Sequence, residues 1–154
     1  IETHLKNSGW RRPEDASAGD ILTMFNTSAD ILDLPVLPQV HEGETQQLLM
    51  IRDLEEDSRL LTLRLWKTEF LVPDRQSPLW VGNVSYLLID ARLRLLRFLH
   101  TDADFRGALD LFLRDTGDLQ VQRVKRGISP GTNRLAAWDG RVLLISLPST
   151  EQNR

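Results

Sequence analysis

The chain contains no cysteine among its 154 residues, only three lysines, three histidines and one tyrosine. Without cysteine there are no disulfides, no thiolate zinc site and no cysteine nucleophile, although the compartment stays open. No apolar run approaches the roughly 20 residues that span a bilayer, which excludes a transmembrane helix within this segment. A G-x-S-x-G elbow, a phosphate-cradling glycine loop and an H-E-x-x-H pair are all missing, which removes the commonest hydrolase and nucleotide signatures. Residues 1–20 carry no apolar h-region, so no secretory signal is expected within them.

What remains is the composition of a folded domain, 41% apolar and 27% charged. A chain of this size buries roughly 68–70% of its unfolded surface, enough for a real core. The formal charge is −3, split into −6 over residues 1–77 and +3 over residues 78–154. Nucleic-acid binders carry a denser basic stripe, so nucleic acid is not an expected partner. Sixteen of the 19 basic residues are arginine, whose planar fork suits carboxylates and phosphates.

Apolar spacing predicts a short amphipathic helix over residues 1–10, closed by Gly9, and a second over about 16–32. The buried stripe of the second is Ile21, Leu22, Phe25, Ala29 and Leu32. Residues 34–45, with Pro35 and Pro38, read as an extended connector. Strands are expected at 46–54 and 59–72 around an acidic turn at 55–58, then at 79–89 and, after a reversal at 90–92, at 93–100, with a helix over 87–99 as the alternative because leucine and arginine favour helices. In the 59–72 run Thr62, Arg64, Trp66, Thr68 and Phe70 share one face and Leu61, Leu63, Leu65 and Leu71 the other, marking a central strand. A helix is expected at 101–117, capped by Asp102 or Asp104, buried through Phe105, Leu109, Phe112 and Leu113, and ended by Gly117. A strand at 119–126 and two more around Asp139-Gly140 complete the pattern. The expected fold is α+β: a mainly antiparallel sheet with two N-terminal helices and one later helix packed on it. Residues 1–148 form one domain and residues 149–154 a flexible tail.

Three constellations are candidates for chemistry. His100, Asp102 and Asp104 form an H-x-D-x-D cluster whose imidazole and carboxylates suit a divalent cation; helix capping is the competing reading of the two aspartates. The acidic run Glu55-Glu56-Asp57 reads mainly as a solvated turn. Arg92, Arg94 and Arg97, with Arg106, Arg123 and Arg126, would offer a phosphate-binding face, while Trp66, Trp80 and Trp138 sit on strands as core or as an aromatic ligand patch. The candidate ligand-binding residues are Arg64, Trp66, Trp80, Arg92 and Arg94.

Ser8-Gly9-Trp10, LPVLPQVHEGETQQLLMIR (34–52), Arg64-Leu65-Trp66 and PLWVGNV (78–84) occur in an order that resembles the LssY C-terminal domain of bacterial proteins, over about residues 1–126. The resemblance implies attachment to multi-spanning membrane proteins, including type 2 phosphatidic acid phosphatase-like and DedA-like segments. Any lipid-phosphatase chemistry would belong to that membrane portion. The family's later histidine-aspartate stretch corresponds to His100, Asp102 and Asp104, with Leu99 where a second histidine usually stands. The chain opens on Ile1, and is expected to be the soluble, membrane-associated end of a larger protein. The leading expectation is a non-catalytic accessory domain without a cofactor, binding a ligand, lipid headgroup or protein partner. A small metal-dependent phosphoester hydrolase built on His100, Asp102 and Asp104 is the alternative, and oligomerisation through a β-edge is a third reading.

Overall fold

The structure is a computed structural model and describes residues 1–14, 18–54, 58–73, 76–90, 96–127 and 140–147. Its centre is a four-stranded antiparallel meander in the order β3-β4-β5-β6, formed by Leu48–Leu54, Arg59–Val72, Ser77–Asp90 and Phe98–Thr101. Two small hairpins flank it: β1 (Val40–His41) with β2 (Glu44–Thr45), and β7 (Gln120–Lys125) with β8 (Arg141–Ser146). The helices are α1 (Glu2–Lys6), α2 (Ala18–Thr23) and α3 (Phe105–Asp115), with a 3₁₀ turn at Ile31–Asp33.

The α+β expectation with two N-terminal helices is overturned, because the fold is mainly antiparallel β. Helices α1 and α2 are only 5 and 6 residues long, and α3, at 11, is the one real helix among the described residues. Helix nucleation is unfavourable, so one-turn pieces exist only where tertiary contacts hold them. The predicted 16–32 helix stops at Thr23. Asn26 then accepts the Ser28 N–H in a local turn at 3.0 Å, and Asp30 caps the 3₁₀ turn through a reciprocal box with Asp33. Both aspartate and asparagine draw backbone donors away from helical pairing. Its predicted stripe is consequently broken: Ala29 is buried, but Leu22, Phe25 and Leu32 are exposed, and the Ile21 side chain lies outside the described residues.

The β pattern was more legible. Strands β3 and β4 pair through Leu48↔Leu65 to Leu54↔Arg59, and β4 and β5 through Leu60↔Leu87 to Lys67↔Trp80, with a register shift before Leu71↔Pro78. Strand β6 pairs antiparallel with β5, as expected of a hairpin there, while residues 91–95 and the acidic turn at 55–57 lie outside the described residues. The final strand, β8, pairs antiparallel with β7, Gln120↔Ser146 to Lys125↔Arg141. The predicted partner at 135–139, with Trp138, and the tail at 149–154 are likewise outside.

Alternation along β4 separates two differently built faces. One face presents Leu61 and Leu63, with Leu48, Met50, Val84 and Tyr86, to Leu5, Trp10, Ala108 and Phe112, and forms the main core. Leu143 and Ile145 of β8 pack against it. Gly9, at φ +81°, turns the chain out of α1 so that Trp10 seats edge-on against Phe112, with ring centroids 5.7 Å apart. Arg11 then exchanges two backbone hydrogen bonds with Ile51, of 2.9 and 2.8 Å, covering part of the free edge of β3. The other face packs Leu60 and Leu87 under Ile31, with Val36, Ile89 and Leu99 half-buried around them. Farther along β4, this second face becomes polar.

Candidate ligand-binding site

Arg64 lies in the middle of the sheet, on the polar part of the second face, with 2% of its surface exposed. Register places it opposite Leu49 on β3 and Asn83 on β5, two residues from both Thr62 and Trp66 on its own strand. Its Nη1 donates to Thr62 Oγ1 at 3.1 Å, and its Nε is buried with no hydrogen-bond partner. No carboxylate among the described residues pairs with it. Burial alone pulls the guanidinium down to about 10, because removal from water disfavours the charged form.

The groups around Arg64 are held by each other. Thr62 Oγ1 donates to Ser85 O at 3.0 Å and lies 3.0 Å from Ser85 Oγ, so the hydroxyl is anchored and offers its lone pair to Arg64. Gly82 brings β5 close at this point. A Cβ there would collide with the Arg64 carbonyl oxygen and with Leu65 Cδ2.

The β1–β2 hairpin covers the outer end of this face. Glu42 and Gly43, both at positive φ (51° and 87°), make the two-residue turn that matches strand twist. Trp66 Nε1 donates to Glu44 O at 3.0 Å, and the His41 and Trp66 rings lie 5.5 Å apart. Asn83 Nδ2 reaches Gln39 Oε1 at only 3.4 Å. Residues 40–45 are all exposed, so the hairpin is a thin cover tied at few points. On the same face a cleft of about 400 Å³ runs past Ile51 and Leu60, walled by Arg11, Asp33, Leu34 and Pro35.

The structure therefore brings together two of the five predicted ligand-binding residues, Arg64 and Trp66. Trp80 pairs with Lys67 and falls on the opposite face of the sheet, 42% exposed near Phe70, Leu71 and Leu79. Arg92 and Arg94 lie outside the described residues. Arg97 donates to Thr27 O at 2.7 Å, Arg106 sits 3.9 Å from Asp110, and Arg123 and Arg126 are exposed on or after β7.

His100, Asp102 and Asp104 do not converge. No group of three or more histidine, aspartate or glutamate side chains able to hold a metal ion occurs among the described residues. Asp104 caps α3 by accepting the Gly107 N–H at 2.8 Å, and Asp102 accepts the Asp104 N–H at 3.3 Å. Register sets His100 opposite Leu88, on the face of Tyr86, half-buried with Nδ1 unpartnered. Alternation thus turns His100 toward the main core while the chain leaves the sheet at Asp102.

Thr62, Ser85, Asn83 and the covering hairpin were not singled out as functional from the sequence. The hairpin lies in the stretch that Pro35 and Pro38 mark as an extended connector, and its Glu-Gly pair is a weaker turn signal than Asn-Gly or Asp-Gly. Thr62, Arg64 and Trp66 were visible as one face, but their alignment with Asn83 and Ser85 depends on the pairing register. The family model described as the LssY C-terminus matches residues 1–101, ending at β6, short of the expected 126. Comparison with curated proteins and with solved structures returns no match.

Proposed function

We propose, for a chain that belongs to the LssY C-terminus family, a non-catalytic accessory domain of a membrane protein that binds its ligand on the Arg64–Trp66 face. The observation that carries this reading is the buried Arg64 guanidinium, satisfied at Nη1 alone among the atoms described above. A charged group in that state is destabilising, because burying an unpaired charge costs several kcal/mol. Functional sites are where proteins tolerate such violations. Membrane attachment rests on the family; among the described residues no helix is long and apolar enough to cross a bilayer.

The test compares turnover with binding. Phosphomonoester and phosphodiester hydrolysis is measured with Mg²⁺, Mn²⁺ and Zn²⁺ for the native chain and for His100→Ala and Asp104→Ala. The proposal expects no turnover that depends on either residue. Hydrolysis abolished by both substitutions would overturn it and establish the metal-dependent hydrolase instead.

A further inference from the structure

We propose that Arg64 is the recognition residue for a phosphate group, free or carried by a phosphoester headgroup, admitted beneath the Val40–Thr45 hairpin. This rests on the binding role proposed above and names its ligand chemistry. Nη1 is fixed by Thr62, and Thr62 is fixed in turn by Ser85, so the plane of the guanidinium is set before any ligand arrives. The Nε edge remains as an in-plane donor edge, the geometry that grips two oxygens of an oxyanion. A third donor comes from the neighbouring strand. Asn83 is opposite Arg64 in register, and its amide is held only by the 3.4 Å contact to Gln39. Two in-plane donors and one from beside them fit a tetrahedral phosphate better than a flat carboxylate.

The cover fits entry of such a group. Strands β1 and β2 are two residues each, too short to be stable alone, and are anchored to the sheet through Trp66 and Gln39. Lifting the hairpin frees the Trp66 ring, two residues along β4 from Arg64 and beside the already exposed Asn83, and the ring offers an apolar surface for the organic part of a phosphoester. Glu42 and Glu44 are exposed on the hairpin, and neither pairs with Arg64.

The test is nuclear magnetic resonance of the Arg64 Nε–H in the 154-residue chain, titrated with inorganic phosphate at constant ionic strength, with sodium acetate as comparator. The resonance is expected to move saturably with millimolar phosphate and at least tenfold less with acetate. Arg64→Lys, which keeps charge but not the fork, is expected to weaken phosphate binding at least tenfold, measured at the Asn83 side-chain amide. Co-sedimentation with phosphatidylcholine vesicles, with and without phosphatidic acid as the simplest phosphomonoester lipid, distinguishes the sources. Binding to phosphatidic acid vesicles that is lost in Arg64→Met identifies a lipid headgroup. A phosphate response without vesicle binding identifies a soluble phosphate or phosphoester. No response in either arm, or an acetate response equal to that of phosphate, overturns the proposal. Turnover of p-nitrophenyl phosphate is read in the same samples. Turnover with an intact Arg64 response removes the non-catalytic reading and leaves the phosphate site, whereas silence at Arg64 without turnover does the reverse.

Discussion

Replacing Arg64 with methionine is expected to stabilise the protein, against the usual direction of core substitutions. A guanidinium drawn down to about 10 by desolvation is disfavoured in its charged form by about 3 kcal/mol. Methionine keeps a flexible unbranched stem that fills irregular space and carries no charge. The change removes the 3.1 Å bond to Thr62, worth about 1 kcal/mol, while Thr62 keeps both contacts to Ser85. The expected net gain is about 2 kcal/mol, within the range of about 1–4 found when buried ionic groups become apolar. For a chain of this size that raises Tm by roughly 4–8 °C. The assay is urea unfolding followed by tryptophan fluorescence, with an unchanged m-value showing that the surface exposed on unfolding is the same. The sign of the pH dependence follows from the direction of the shift. With the folded pKa below the unfolded one, the native state releases its proton first, so the Arg64 contribution to native stability rises with pH only in the window from about 10 up to the ordinary arginine range. Below that window both states are charged, and the gain from Arg64→Met is expected to be flat from about pH 6 to 9. A loss of about 1 kcal/mol or more at unchanged m would refute the reasoning.

Other perturbations separate scaffold from site. Asp115 accepts from Trp10 Nε1 at 2.8 Å and from Arg52 Nη1 at 2.5 Å, and its side chain is 9% exposed. Asp115→Ala is expected to destabilise by about 3 kcal/mol in urea melts, with the Arg52→Met/Asp115→Ala double variant losing less than the sum of the single changes. Gly82→Ala drives a methyl into the β4 backbone at Arg64 and is expected to lower stability by roughly 1–3 kcal/mol, readable as a Tm drop. Hydrogen bonding from Arg12, at 2.8 and 2.6 Å, holds the Glu2 carboxyl down to about 2 from its ordinary 4.5. A folded pKa below the unfolded one means that this contribution is complete above about pH 4.5 and lost as pH falls toward 2. A carbon-detected titration should place the Glu2 midpoint well below 4, and Arg12→Gln should return it toward the ordinary value.

The strands were readable because burial on a sheet follows a period of two that even a leucine-rich stretch retains. Leu61 and Leu63 against Thr62, Arg64 and Trp66 announced a central strand with two covered faces, and β4 occupies an inner position. The N-terminal helices misled for an equally physical reason. Leu22, Phe25 and Leu32 recur at helical spacing, but Asn26 and Asp30 capture local donors and divide the segment, leaving those side chains outside the core. The His100–Asp104 cluster failed as a constellation because adjacency in sequence is not convergence. A strand end and a helix cap point the three side chains to different tasks.

By itself, the sequence determined which class of chemistry was unavailable, where most strands run, the capped helix at Phe105–Asp115 and the family resemblance. These properties rest on local composition, alternation and capping, which neighbouring residues decide. Tertiary structure alone decided that Arg64 and Trp66 share a face with Asn83 and Ser85 and that Trp80 does not. It also decided that a small hairpin packs on Trp66. Those facts depend on pairing register, where a shift of one residue sends every side chain to the opposite face. Only that register turns an ordinary strand arginine into a buried cation with an unsatisfied edge.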